Sequence, residues 1–233
     1  MGEFQKRSMH LPHPQLKGVF LLIKNNLKPK FYSSHRTRSS LKKNLFSQEE
    51  LFTKAKEALK ENKENFLEIG FGDGRSVINM AKESSEKNFF CIESYSKGFV
   101  SLFEKIQKER LSNIILLYGD AIELIEKIFD DCTISKIFIF FPDPWPKSKH
   151  KKRRLLNKYS VELLFEKLIK RGVFHFATDN IRYAYDTRLL LNDYFHSKQN
   201  ILFSDNRGDR PITKYEEKAL LKKNIIFDLI VSN

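Results

Sequence analysis

Residues 136–154 read KIFIFFPDPWPKSKHKKRR, and the join between an apolar run and a proline-bracketed Asp-Pro-Trp decides how the chain is read. Lys136 to Phe141 has the length and near-continuous hydrophobicity of a buried strand in a parallel sheet. Pro142, Asp143 and Pro144 must end it, because proline has no N–H for the ladder, and the ends of such strands are where open α/β sheets place their ligands. Each proline fixes its own φ and restricts the residue before it, so Asp143 is held with little backbone freedom. Asp143 and Trp145 are therefore expected at a site whose rim is cationic. The plainer alternative is a proline-stiffened loop leading into a solvated charge run.

Outward from this stretch, short apolar runs alternate with amphipathic ones. Strand-like runs fall at residues 66–69, 89–92, 114–118, 134–141 and 173–178, with a last one at 225–231 (IIFDLIV). Helical patterns lie between them, near residues 75–82, 97–110, 121–129, 159–170, 181–192 and 214–222. Such alternation reads as βαβ units around a parallel sheet. Ser47 followed by Glu50 gives a capping-box pattern that opens a helix running toward Asn62. The chain divides on this basis into a basic extension over residues 1–44, free to be flexible, and a single α/β domain over residues 45–233.

The formal net charge is +13 over 233 residues, which implies an anionic partner and says nothing of fold. Its distribution is more telling, since the first 48 residues hold ten Lys or Arg against one acid, Glu3. Cys91 and Cys132 form no CxxC pair, and this argues against a disulfide framework and for a reducing compartment, the cytoplasm. The six histidines show no ligand spacing, so no metal is expected. The longest apolar stretch near the N-terminus, Val19 to Ile23, is too short to span a bilayer, so no membrane partner is expected either. A monomer or homodimer remains open.

Residues 66–75, FLEIGFGDGR, are a strand with an acid near its end followed by glycines at 70, 72 and 74. Glycines there let the backbone pass close to a ligand. A dinucleotide fingerprint would need a third glycine where Arg75 stands. Glu68 would repel pyrophosphate oxygens and attract an ammonium, so an amine-bearing ligand fits better. Glu93 ends the next strand and could accept both hydroxyls of a ribose. Asp120 ends the third and could accept from an adenine amine, although either acid alone is more often a helix cap or an exposed strand-end acid, and Asp120 in particular precedes a helix.

In order along the chain, LEIGFGDG, CIE, GDA, FFPDPWPKSKHKKRR, ATDN and RPITKYE resemble the bacterial tRNA (guanine-N7-)-methyltransferase family over about residues 45–231. The resemblance implies a Rossmann-like class I fold: a seven-stranded, mostly parallel sheet with the last strand antiparallel and helices on both faces. It implies transfer of a methyl group from S-adenosyl-L-methionine to N7 of the variable-loop guanosine (m7G46) of tRNA. It also implies that Glu68, Glu93, Asp120 and Asp143 contact the cofactor beside Gly70, Gly72 and Gly74, with Asp143 catalytic. Lys147, Asp179, Thr213, Lys214, Tyr215 and Glu216 would bind the substrate nucleotide, and Lys149, His150, Lys151, Lys152, Arg153 and Arg154 would touch RNA. The first 35 or so residues match no motif of the family.

Guanine N7 carries a free lone pair, so methylation there needs no proton removed before attack. Asp143 is then expected to position groups and to favour positive charge moving onto the base. Recognition of the opposite guanine edge needs acceptors for N1–H and the N2 amine, for which Asp179 and Glu216 are candidates, with capping or surface pairing as the alternative for each. Trp145 either stacks on a flipped base or packs in the core. Two rivals stay open: a methyltransferase for another acceptor, such as an rRNA base or a protein side chain, and a nucleic-acid-binding protein that keeps the fold without chemistry.

Overall fold

The computed structural model describes residues 48–196 and 200–233. The 1–44 extension and Ser47 of the expected capping box lie outside them. The first described helix, α1 (Gln48–Ala58), leads into β1 (Asn65–Ile69), α2 (Arg75–Glu83), β2 (Asn88–Glu93) and α3 (Ser96–Glu109). Then follow β3 (Ile114–Tyr118), α4 (Ala121–Ile128), β4 (Ile134–Phe140) and a 3-10 turn (Ser148–Arg153). The remainder is α5 (Lys158–Lys167), β5 (Leu168–Thr178), α6 (Ile181–Tyr194), α7 (Lys214–Leu221) and β6 (Phe227–Ser232).

The strands form one sheet in the order β3-β2-β1-β4-β5-β6, parallel throughout except for β6, which runs antiparallel to β5. From β1 the chain steps outward through β2 to β3, then returns to the other side of β1 for β4 and β5. Right-handed crossovers in opposite directions put the helices of the two halves on opposite faces. They also leave a crevice between the ends of β1 and β4, the place where ligands bind in such sheets. Gly70 follows β1 and Asp143 follows β4, so the topology alone brings them together.

Burial on both faces explains the strand composition. β1 is buried at every position and β2 at every position but its last, Glu93. Edge-to-face phenylalanine pairs, Phe66 with Phe89 and Phe138 and Phe90 with Phe129, fill the space between layers.

Two expectations change. Among the described residues the sheet has six strands where seven were implied. The outermost is reduced to a single antiparallel bridge between Ser204 and Asp228, because the chain turns away at once through Asn206 and Gly208, whose N–H donates to Asn206 Oδ1 at 2.8 Å. The helix expected over residues 159–170 also ends early, and β5 takes over at Leu168. There Ile134 pairs with Leu168 but Lys136 with Val173, a bulge that is closed by Arg171 at φ 65° and pinned by the Asn233 side chain on the Leu168 carbonyl. Among the described residues no helix is long and apolar enough to cross a membrane.

Candidate active site

A cleft of ≈ 830 Å³, counting space open to solvent, lies at the carboxyl ends of β1, β2, β3 and β4. Its floor is Ile69, Gly70, Gly72 and Glu93, and its far wall is Phe141, Pro142, Asp143 and Trp145, with Arg153 and Tyr215 at the rim. Seven of the expected site residues thus share one cavity: Gly70, Gly72, Glu93, Asp143, Trp145, Arg153 and Tyr215.

The floor is built by backbone. Gly70 stands at φ 77° with nothing within 4 Å of the space a Cβ would take, so glycine there serves both the left-handed bend and the open cavity. Gly74 does not line the cleft and is required for packing instead, since a Cβ on it would fall 2.6 Å from Leu102. Glu93 ties the loop to β2, because its Oε2 accepts from the Gly72 N–H at 3.0 Å while Oε1 accepts from Ser94 and Tyr95 N–H at 2.8 and 2.9 Å. Burial raises the Glu93 pKa against the pull of those three donors.

Beneath this loop sits Glu68, 4% exposed and with Oε2 lacking any hydrogen-bond partner. Burial first, and then the charges of Glu93 and Asp73, push its pKa up to about 8. A buried carboxylate without a partner is costly, so Glu68, which lies behind the cleft lining rather than in it, is kept protonated unless a cation reaches it. Asp120 half-matches its expected role: Oδ1 caps α4 by accepting from Ile122 and Glu123 N–H, leaving Oδ2 outside the cap.

The far wall is braced by side chains. Phe141 and Trp145, on either side of Pro142-Asp143-Pro144, adopt φ 49° and 42°, a region that non-glycine residues enter only when the surroundings enforce it. The Trp145 ring lies 5.0 Å from the Arg153 guanidinium and edge-on to His150 at 5.8 Å. Desolvation first, and then Arg153, Lys149 and Lys147, hold the His150 imidazole below its usual pKa. Trp145 is therefore a half-buried cleft wall, between the two alternatives of stacking platform and core.

The basic run does not act as one patch. Lys147, Lys149 and Lys152 are exposed. Lys151 pairs with Asp186 at 2.7 Å. Arg154 was expected to meet RNA, but it is buried, with Nη1 2.6 Å from Asp186 Oδ2 and Nε donating to the Pro144 carbonyl at 2.8 Å. Burial would raise the Asp186 pKa, yet the bonds from Lys151 and Arg154 leave it below the usual carboxylate range.

Helix α7 borders the glycine loop. A Cβ on Gly72 would lie 3.4 Å from the Tyr215 ring, and Arg75 pairs with Glu217 at 2.7 Å. Thr213 caps this helix by accepting the Glu216 N–H at 3.1 Å, and Lys214 is exposed. Glu216 needs correction as a guanine acceptor: it is 2% exposed, and its carboxylate is held by the Arg210 guanidinium. Asp179 does stand at the surface, where Oδ2 accepts from Asn224 at 2.8 Å.

Sequence reasoning passed over Arg210 and Asp186. Arg210 bridges Glu216 to Asp228, with Nε and Nη2 donating to the two Asp228 oxygens at 2.7 and 2.9 Å, and His175 completes the group at 2.7 Å. A lone acid inside IIFDLIV and a lone histidine inside FHFAT were the available signals, since a polar residue in a fully buried strand requires a partner.

A family model described as "Putative methyltransferase" matches residues 62–229. A curated tRNA (guanine-N(7)-)-methyltransferase of Francisella philomiragia is 37% identical over 175 residues, 75% of this chain and 76% of that protein. One from Buchnera aphidicola subsp. Acyrthosiphon pisum is 40% identical over 167 residues, 70% of each chain. Among solved structures, an antibiotic-related methyltransferase superposes with a TM-score of 0.58 at 17% identity, covering 81% of this chain and 95% of that one, which is a likeness of fold alone.

Proposed function

The chain belongs to the tRNA (guanine-N(7)-)-methyltransferase family, and from that premise we propose that it transfers a methyl group from S-adenosyl-L-methionine to N7 of the variable-loop guanosine of tRNA (m7G46), with Asp143 at the point of transfer. The observation that carries this is the buried carboxyl behind the glycine loop: Glu68 has a partnerless oxygen, and Gly70, Gly72, Glu93 and Asp143 line the cavity beside it. S-adenosylmethionine fits that site, since bound there it supplies a methyl group on a cationic sulfur and carries an ammonium for Glu68. Glu93 keeps lone pairs for ribose hydroxyls while its backbone donors hold it still, and Asp120 Oδ2 is the acceptor left for an adenine amine.

On the acceptor side the chain contributes placement. Because N7 already presents a lone pair, no residue has to remove a proton, and Asp143 serves by proximity and by favouring the positive charge that arrives on the base. Trp145 and Tyr215 offer ring surfaces to a flipped guanine, and Asp179 offers an acceptor for its N1–H and N2 edge. Thr213 and Lys214 belong to the same substrate-binding turn. Lys147, Lys149 and Lys152, exposed outside the cleft, neutralise phosphates together with Arg153 at its rim and His150 against Trp145. The paired state of Lys151 makes it a weaker contributor, and Cys91 and Cys132 as free thiols suit a cytoplasmic enzyme.

Nucleoside analysis of tRNA after incubation with labelled S-adenosylmethionine tests this. Label recovered as 7-methylguanosine from the variable loop is the expected result. Methyl on another ring nitrogen, on rRNA or on protein would replace the acceptor, and binding without transfer would remove the enzyme.

A further inference from the structure

The last arginine of the basic run points into the protein, and what it holds is the segment carrying Asp143. Arg154 is 5% exposed. Its Nε donates to the Pro144 carbonyl at 2.8 Å, its Nη1 to Asp186 at 2.6 Å, and its guanidinium lies 4.5 Å from the centre of the Tyr183 ring. Two edges of the fork are used and a ring stands against it, so bidentate contact with a phosphate is closed to it.

The segment from Phe141 to Trp145 requires such a hold. Both end residues are non-glycine at positive φ, and Pro142 and Pro144 contribute no N–H with which to tie the backbone down. Before Asp143 the anchor is the Phe141 N–H, which donates to the Ala177 carbonyl at 2.7 Å. After Asp143 it is the Pro144 carbonyl on Arg154. The backbone of Asp143 lies between these two anchors.

We infer that Arg154 is a positioning residue for methyl transfer, fixing Asp143 and Trp145 through the Pro144 carbonyl, and that Asp186 in turn fixes Arg154. This rests on the proposed role of the Asp143 loop and separates Arg154 from the outward-facing cations beside it. Asp186 also receives Lys151 from the exposed side, so a single carboxylate joins the RNA-facing turn to the brace.

Trp145 is the only tryptophan of the chain, which gives the loop its own spectroscopic reporter. In R154K the charge remains, but the planar fork that donates Nε to Pro144 and Nη1 to Asp186 is replaced by one ammonium on an unbranched, flexible stem. The expected result is a kcat lowered by about tenfold or more, with the KM for tRNA within about twofold and the salt slope of binding unchanged. Trp145 emission should shift and its quenching by acrylamide should rise. K152A, an exposed neighbour, should do the reverse: a higher KM, a flatter salt slope and wild-type emission.

R154K with wild-type kcat and emission but a raised KM and a flattened salt slope would overturn the brace and return Arg154 to the RNA. Should R154K not fold, D186N decides: an emission shift with lowered kcat supports the brace, and wild-type values for both refute it. If the wild-type protein transfers no methyl to tRNA, the functional proposal fails while the emission data still decide whether Arg154 holds the loop.

Discussion

The two sides of the cleft are built by opposite means. The floor, from Ile69 to Gly72 with Glu93 and with Glu68 buried beneath it, is positioned by the sheet: its donors are backbone N–H groups, and burial raises the pKa of both carboxyls. The wall, from Phe141 to Trp145, is bent against backbone preference at both ends, and buried arginines fasten it and the neighbouring α7. A methyl donor that must bind in one pose at every turnover suits a site fixed by main chain. An acceptor arriving as part of a large polyanion suits a site whose charges are pinned inside and free outside. Substitutions on the floor should therefore report on cofactor and pH, and substitutions on the wall on turnover and RNA.

The floor has the largest expected effect. Glu68 ionises near pH 4.5 when unfolded and at about 8 in the folded chain. Below pH 4.5 both states are protonated and nothing is lost. As pH rises from 4.5 to 8 the unfolded state ionises first, so the unliganded protein loses stability progressively and the loss levels off above 8. The ceiling is on the order of 5 kcal/mol from the size of the shift. E68Q should remove this slope, so that urea denaturation at pH 8.5 finds the variant more stable than wild type and at pH 4 finds them alike. The same variant should bind S-adenosylhomocysteine more weakly, since the cation's partner has gone. A wild-type pH slope in E68Q would show that Glu68 is not the titrating group.

On the wall, Arg210 comes next. Burial would raise the Asp228 pKa, but the bonds from His175 and Arg210 keep it low. R210A would leave Asp228 and Glu216 buried without their cation, which should cost about 3 to 5 kcal/mol, read as a lowered urea midpoint with an unchanged m-value. A loss under about 1 kcal/mol would mean that water enters and solvates the pair. D143A should leave stability and tRNA affinity nearly untouched while lowering kcat by about 10²-fold or more, roughly 3 kcal/mol in the barrier. Equal losses in kcat and tRNA affinity would make Asp143 a binding residue.

What the sequence could reveal differs between the two sides for physical reasons. Strand ends are legible, because continuous apolar runs terminated by Gly or Pro have few other readings, and so Gly70, Glu93 and Asp143 fall together as expected. Charge is not legible in the same way. Lys147 to Arg154 is one uninterrupted cationic run in sequence, yet its 3-10 turn sends Lys149 and Lys152 outward and Arg154 inward. Only the acid on α6, Asp186, thirty-two positions further on, decides which. Glu216 is hidden likewise, since nothing near it in sequence except Arg210 announces that its carboxylate is already taken. The early start of β5 is a third case: helical periodicity over residues 159–170 cannot register a bulge closed by the far terminus through Asn233.

The smallest effect sharpens the contrast between inner and outer charge. Lys149 and Lys152 are exposed and form no ion pair among the described residues, so K149A/K152A should leave folding and Trp145 emission unchanged. If each meets one phosphate, the slope of log affinity against log salt should fall by about 2 for duplex-like tRNA segments. The affinity loss should then be clear at low salt and fade near physiological salt, where counterions already compete for the phosphates. kcat at saturating tRNA should not move, since neither lysine reaches the cleft. A slope that stays at its wild-type value would place the polyanion elsewhere on the molecule, and the outer half of the wall would then be solvated surface without a role in holding tRNA.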